Sequence, residues 1–336
     1  MNRKRSIFFL CVLILLFGAG YCIMQYVQTL QPKEDASALA LPVPEDAQSI
    51  QISYAQESFC IFQYGEGWQL ASDKDFPLET SLCNALNTTL ASLQAVREVD
   101  GGDPDSFGLN QPLCRIHAVD VNGTEYEYTL GNYNEYNGLY YLSCGGETIY
   151  MLEAAAAESF FIGVYDLIAA DEAPDIDADR IYGLSVQSAS GTWQYMLERE
   201  DSSDGSAYQI SGSLLDPNAP DIQHAADPDA SLALFKNIAL LYLYSCVEYC
   251  ADDMQTLSEY GLSEPAAQVT VLYEQEDEEG QAQRLSFQYD FGTQTEDGYI
   301  YVRMQGSDMI FLAYYNEAAQ FLSPDFAALL KTAEMQ

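Results

Sequence analysis

The sequence predicts an α+β fold of two similar units, each an antiparallel sheet with a helix packed on one face, behind one N-terminal transmembrane helix. Three observations predict it. Apolar and polar residues alternate with period two through most of the body. A leucine stripe at helical spacing interrupts that alternation. A series of four motifs appears once around Gly108 and again, in the same order, around Gly261.

The first element is the membrane segment. Arg3, Lys4 and Arg5 precede an uncharged stretch from Ser6 to Val27. As a helix it measures roughly 33 Å, enough to cross a hydrocarbon core of about 30 Å. The basic residues keep the N-terminus cytoplasmic and send the body outside. A cleaved signal peptide is a second reading, because Gly18-Ala19-Gly20 follows the apolar run Ile7 to Phe17. A lipoprotein is a third, though Tyr21 precedes Cys22 and Leu10 precedes Cys11, where a small residue is wanted. All three give an extracytoplasmic body, and the anchor, residues 6–27, is the reading taken forward. Residues 28–48 read as a linker, with Pro32, Pro42 and Pro44 among Ala, Ser, Glu and Asp.

The first unit is expected over residues 49–172. Ser49–Tyr54 and Ser58–Tyr64 alternate as half-buried strands, and Trp68 starts a third. Leu78, Leu82, Leu86, Leu90 and Leu93 then fall at steps of three and four, as on one helical face. Strands resume over Leu113–Val121 and Tyr126–Leu130, joined by the turn dipeptide Asn122-Gly123. Residues 154–170 open with four alanines and read as a helix. The second unit, 178–336, repeats the plan: strands near 180–188 and 192–199, a helix from Ser231 to Tyr244, strands from Gln268, and helical pieces near 315–332.

The repeated motifs run as follows. Phe107-Gly108-Leu109 with Pro112 answers Tyr260-Gly261-Leu262 with Pro265. Tyr126, Tyr128, Leu130 and Gly131 answer Phe287, Tyr289, Phe291 and Gly292. Gly138-x-x-Tyr141 answers Gly298-x-x-Tyr301, and each copy closes on an apolar strand. Aromatic-Gly-Leu ahead of proline reads as a chain reversal with glycine at positive φ, a folding device rather than a reactive site.

Composition bounds the function. The 336 residues are 48% hydrophobic, so they can bury two cores. They carry 51 acids against 13 bases, a formal charge of −38, and all the acids lie beyond Val27. Such a chain has no basic footprint for nucleic acid. Its acidity repels anionic headgroups and holds the body away from the bilayer.

Gly67-Trp68, Phe76-Pro77, Asp103-x-x-x-Phe107-Gly108-Leu109 through Pro112, Leu130-Gly131 and Gly138-x-Tyr140-Tyr141 resemble the pattern of the bacterial domain of unknown function 4340 family. The likeness is close over 49–170 and looser over 180–332, where the second helix lacks a preceding Phe-Pro. The resemblance implies a membrane-anchored or exported protein of the bacterial cell envelope, with ABC-type export systems as one class of companion. It carries no catalytic residues.

Candidate chemistry is sparse. His117 alternates with Ile116 and Ala118, so it faces outward beside Arg115; His224 reads as a loop residue. Neither has metal-ligand spacing, and no nucleophile elbow, P-loop or dinucleotide fingerprint occurs. Asp175, Asp177 and Asp179 begin like a calcium loop, but Arg180 and Val186 stand where glycine and glutamate belong. The Glu274–Glu279 run reads as a solvated hairpin tip or loop. Six cysteines follow the anchor; Cys60, Cys83, Cys114 and Cys144 read as buried thiols or, in an exported protein, as disulfide candidates. Tyr133, Tyr136, Tyr140 and Tyr141 gather near one turn, either as sheet packing or as a surface for sugar or peptide.

The expected protein is therefore a non-catalytic, single-span envelope protein without cofactor. Its tandem domain would bind another envelope component, an ABC-type transporter being one candidate. The alternative is a binding module for a wall-associated ligand or divalent cation.

Overall fold

A computed structural model describes residues 38–189, 191–201, 208–216, 219–277, 279–322 and 329. The expected anchor at 6–27 lies outside the described residues, and no described helix is long and apolar enough to cross a membrane. What is described is α+β, dominated by antiparallel sheet, and divides into two units.

Unit 1 takes the residues up to Gln63 and Asn84–Ile162. A short strand, β1 (Leu39–Ala40), precedes the hairpin of β2 (Ala47–Tyr54) and β3 (Glu57–Tyr64). A short strand, β4 (Gly67–Leu70), carries the buried Trp68 and lies in the stretch Tyr64–Cys83 that goes with unit 2. Helix α1 (Thr80–Ala91) is followed by β5 (Gln94–Ala95) and β6 (Arg97–Val99). Then come β7 (Cys114–Asp120), β8 (Glu125–Asn134), β9 (Leu139–Ser143), β10 (Ile149–Glu153) and α2 (Ala154–Glu158). Within the unit the sheet order is β3-β2-β7-β8-β9-β10-β6, with antiparallel neighbours throughout. Alternation explains its faces: Ile50, Ile52, Ile116, Ala118, Tyr128 and Leu130 are buried, while Gln51, Arg115 and Glu127 between them are exposed.

Unit 2 takes Tyr64–Cys83 and everything from Gly163. Its strands begin with β11 (Ile181–Ser188), β12 (Gly191–Asp201), β13 (Tyr208–Asp216) and β14 (Ala219–Ala226). Helix α3 (Pro228–Ala239), β15 (Leu243–Glu248) and α4 (Met254–Glu259) follow. The unit closes with β16 (Ala267–Glu276), β17 (Ala282–Gln294), β18 (Tyr299–Met304), β19 (Ile310–Tyr314) and α5 (Tyr315–Leu322). Its sheet order is β14-β13-β12-β11-β16-β17-β18-β19-β15. The run from β12 to β15 repeats the run from β3 to β6 strand for strand.

The helices are shorter than the sequence predicts. In α1 the buried face is Cys83, Leu86 and Leu90, whereas Leu82 is exposed and Leu78 and Leu93 lie outside the helix. At the start of the helix the buried face therefore runs through Cys83, one residue on from the Leu82 of the expected stripe. In α3, Asp227 caps the N-terminus by accepting from the Asp229 and Ala230 amides, and Pro228 fits the first turn. Leu234, Phe235 and Ile238 are buried, and α3 packs on β11, β12 and β13. It ends at Ala239 rather than Tyr244, because from Leu241 the burial alternates with period two and the chain becomes β15. The helix expected over 154–170 stops at Glu158: Phe160 turns into the core, and its carbonyl accepts from the Cys114 thiol at 3.4 Å. A separate 3₁₀ turn, Val164–Leu167, follows in unit 2.

Two boundaries also move. The expected linker reaches only part of the way to Gln48, since β1 pairs with β5, Leu41 is buried, and the Tyr128 hydroxyl donates to the Pro42 carbonyl at 2.6 Å. The passage between units is not a single point near 172–178. Residues 64–83 belong with unit 2, where the Phe76 ring stands edge-on to Tyr165 and Tyr249 at 5.3 and 5.0 Å. The Tyr249 hydroxyl donates to Asp73, holding that carboxyl below the usual carboxylate range. The Glu79 and Ala169 amides donate to the Leu167 and Pro77 carbonyls, each at 2.8 Å.

Candidate functional site

The repeated motifs converge in space. In unit 1 a 3₁₀ helix, Pro104–Phe107, is capped by Asp103 and ends at Gly108, which has φ of 74°. The turn lies on β8 where the register slips between Leu130 and Tyr133, a bulge at Gly131-Asn132. A Cβ on Gly131 would collide with the Phe107 carbonyl oxygen, and one on Gly108 with the Asn132 side chain. Leu109 is buried beside Gly131, and the Phe107 ring tilts against Tyr141 with centroids 4.5 Å apart.

Unit 2 builds the same lock. Helix α4, capped by Asp253, leads to Gly261 with φ of 71°. The register slips between Phe291 and Gln294, and a Cβ on Gly292 would collide with the Tyr260 carbonyl oxygen. That carbonyl accepts from the Thr293 amide at 2.9 Å. Leu262 is buried, and Tyr260 stands edge-on to Tyr301 at 4.8 Å. Pro112 and Pro265 are half-buried just before β7 and β16. In each unit the aromatic, the glycine and the leucine thus hold a turn against a bulge, and the proline leads from that turn into the next strand. Gly261 and Gly292 also line an open cavity of about 450 Å³ with Glu264, Tyr315 and Leu322.

The four tyrosines do not form one surface. Tyr133 and Tyr140 are cross-strand partners with rings 5.0 Å apart, and Tyr140 continues edge-on to Phe161, which stacks on Tyr54. The Tyr140 hydroxyl donates to Glu158 at 3.3 Å, and partial desolvation and that carboxylate push the phenol up. Tyr141, the next residue, faces the other way into the lock, where its hydroxyl accepts from Asn134 at 2.8 Å. Tyr136 is fully exposed.

The remaining candidates resolve as structure. His117 is on the outer face, 3.6 Å from Glu125. His224 is on β14, paired with Leu214, and not in a loop. Asp177 caps the turn Ala178–Arg180, and Arg180 holds Glu276 at 2.7 Å. The acidic run is the tip of the β16–β17 hairpin, with Glu274 on Arg284 at 3.0 Å, so two of its charges are paired. Among the described residues no three His, Cys, Asp or Glu gather as a cation site. The six described cysteines are free thiols; burial pushes Cys114 and Cys246 up to about 12 and Cys83 and Cys144 up to about 11.

One feature outside these motifs is a pair of adjoining cavities on the outer face of unit 1. The first, about 300 Å³, is lined by Gln51, Ser53, Arg115, His117, Glu127 and Thr129. The second, about 510 Å³, shares Ser53 and Arg115 and extends past Tyr54, Gln56, Pro112 and Leu113. The alternation around Ile116 shows that Arg115 faces outward, but only the strand register brings Ser53 and Thr129 to its sides.

The family model described as domain of unknown function (DUF4340) matches residues 68–223 and 218–335. No curated protein and no solved structure matches the chain.

Proposed function

The chain belongs to the DUF4340 family, in two tandem copies, and from that premise we propose that it is a non-catalytic, single-span protein of the bacterial cell envelope. Residues 6–27 cross the bilayer with the N-terminus cytoplasmic. The two sheet-and-helix units stand outside and bind another envelope component, an ABC-type export system being the partner class. One observation carries the reading. The features that recur between the copies, from Phe107 to Tyr141 and from Tyr260 to Tyr301, are spent on locking a turn to a bulge. What duplicates is therefore a scaffold, and a rigid paired scaffold on a membrane tether suits docking. The test is chemical crosslinking in intact membranes followed by capture of the full chain. Recovery of one transport-system subunit at constant ratio is expected; recovery of the protein always alone overturns the reading.

A second reading has its own support. The exposed Tyr133 beside Tyr140 offers an aromatic platform for a wall-associated ligand. It predicts a raised melting temperature with wall glycans or calcium, and flat melting curves across that panel remove it.

A further inference from the structure

We propose that the paired cavities of unit 1 form a binding site for the C-terminal carboxylate of a short peptide, with Arg115 as its anchor. The inference is independent of the partner reading above. It starts from charge. In a chain with 51 acids, Arg180, Arg284 and Arg303 each hold a carboxylate at 2.7 to 3.0 Å, and Arg97 is turned onto the Met151 sulfur at 3.1 Å. Arg115 is exposed and has no such partner, although it stands at the wall shared by two cavities. A guanidinium there offers a planar fork of donors matched to a carboxylate.

The register supplies the flanks. Arg115 on β7 lies opposite Ser53 on β2 and opposite Thr129 on β8. Three donors therefore lie in one row across three strands, an arrangement for two carboxylate oxygens. The Ser53 and Ser58 hydroxyls lie 2.9 Å apart, and with Ser58 as the donor between them Ser53 keeps its proton for the ligand. Glu127 closes the row beyond, beside His117, and repels an anion from that end of the first cavity. The ligand's body must then run the other way, into the second cavity.

That cavity sets the class of ligand. Gln56, Glu57 and Ser58 supply hydrogen-bonding groups, Glu57 as an acceptor for a peptide N–H rather than a partner of the carboxylate, while Tyr54, Pro112 and the exposed Leu113 supply apolar contact. The mixture suits alternating amides and small side chains better than an acyl chain. Its rim is the β2–β3 hairpin tip, where Ala55 and Gln56 hold φ of 49° and 71°. Such a turn ordinarily uses Asn-Gly, and side-chain residues kept at positive φ beside a cavity mark a place where the side chain is wanted.

The test uses the full chain in detergent micelles and saturation-transfer NMR, with N-acetyl-Ala-Ala as probe and its C-terminal amide as control. We expect transfer to the acid, and a signal reduced roughly tenfold or more for the amide and for Arg115→Gln. Ser53→Ala should weaken binding about twofold to threefold, and Arg284→Gln, in unit 2, should leave it unchanged. Both unit 1 variants should keep the wild-type melting curve. Absence of transfer, equal transfer to acid and amide, full binding by Arg115→Gln, or displacement by equimolar inorganic phosphate each overturns the proposal, the last by making this a general anion site.

Discussion

The two locks, one per unit, differ in nearly every part that could vary. Unit 1 approaches its glycine through a 3₁₀ helix, Pro104–Phe107; unit 2 approaches through an α-helix, Met254–Glu259. The aromatic is Phe107 in one and Tyr260 in the other, and the rings meet their tyrosines tilted at 42° in one case and edge-on at 79° in the other. The bulge residue is Asn132 in one and Thr293 in the other. What does not differ is a pair of glycines whose backbones touch a neighbouring strand or turn, plus one buried leucine. The lesson is that close backbone approach defines this architecture. Ring geometry and helix type adapt around it.

If that is right, the largest effect comes from the bulge glycines. Gly131→Ala and Gly292→Ala each force a methyl against a backbone carbonyl, which cannot rotate away. We expect each to cost about 3 kcal/mol, read as a lowered calorimetric transition of the affected unit. Full tolerance at either position would break the comparison.

The turn glycines should separate the two locks. A Cβ at Gly261 meets the backbone nitrogen of Thr293 as well as its hydroxyl, whereas one at Gly108 meets only the Asn132 side chain, which can swing aside. Gly261→Ala should therefore cost about 2 kcal/mol and Gly108→Ala about 1 kcal/mol, both including the left-handed backbone penalty. Equal losses in denaturant titration would mean that the bulge residue plays no part.

A ring truncation comes next. Phe107→Ala should lower stability by about 1 to 2 kcal/mol through its lost ring contact with Tyr141. Tyr260→Phe, which keeps the edge-on ring, should change it by under about 0.5 kcal/mol.

The smallest effect is at the cap, and it depends on pH. Hydrogen bonds from Thr256 and from the Gln255 amide hold the Asp253 carboxyl below its ordinary value. A carboxyl depressed on folding stabilises above its unfolded pKa, near 4, and loses that contribution as pH falls through the folded value. The melting gap between wild type and Asp253→Ala should accordingly be open at pH 6 and close on acidification below about pH 4. A gap of constant size would place the effect elsewhere.

Much of this was legible in the sequence, for identifiable reasons. Two half-buried sheet faces impose alternation on β2, β3, β11, β12 and β16, so those strands can be read locally. Strands β13 and β14 could not be, because Ser, Asp, Gly and Pro crowd residues 202–220 and only the pairing of β13 with β12, and of β14 with β13, makes them strands. Each lock motif is visible in the chain, but its purpose depends on a bulge, and a register slip leaves no local mark. The division of the tyrosine cluster is itself legible, since Tyr140 and Tyr141 are adjacent on a strand and so must face opposite ways. The tie between Asp73 and Tyr249 joins residues 176 apart and has no local signal at all.

The excursion of Tyr64–Cys83 into the company of residues from Gly163 onward has a practical corollary for anyone who wishes to divide this protein. A stop codon placed after Ile162 would strand Phe76 without the two tyrosine rings that flank it and would remove the Tyr249 hydroxyl from Asp73 and the Ala169 amide from Pro77. Ancestral shuffling faces the same arithmetic: a crossover at one point between the copies cannot exchange a complete half. A single cut anywhere in the chain therefore leaves at least one of the two units incomplete.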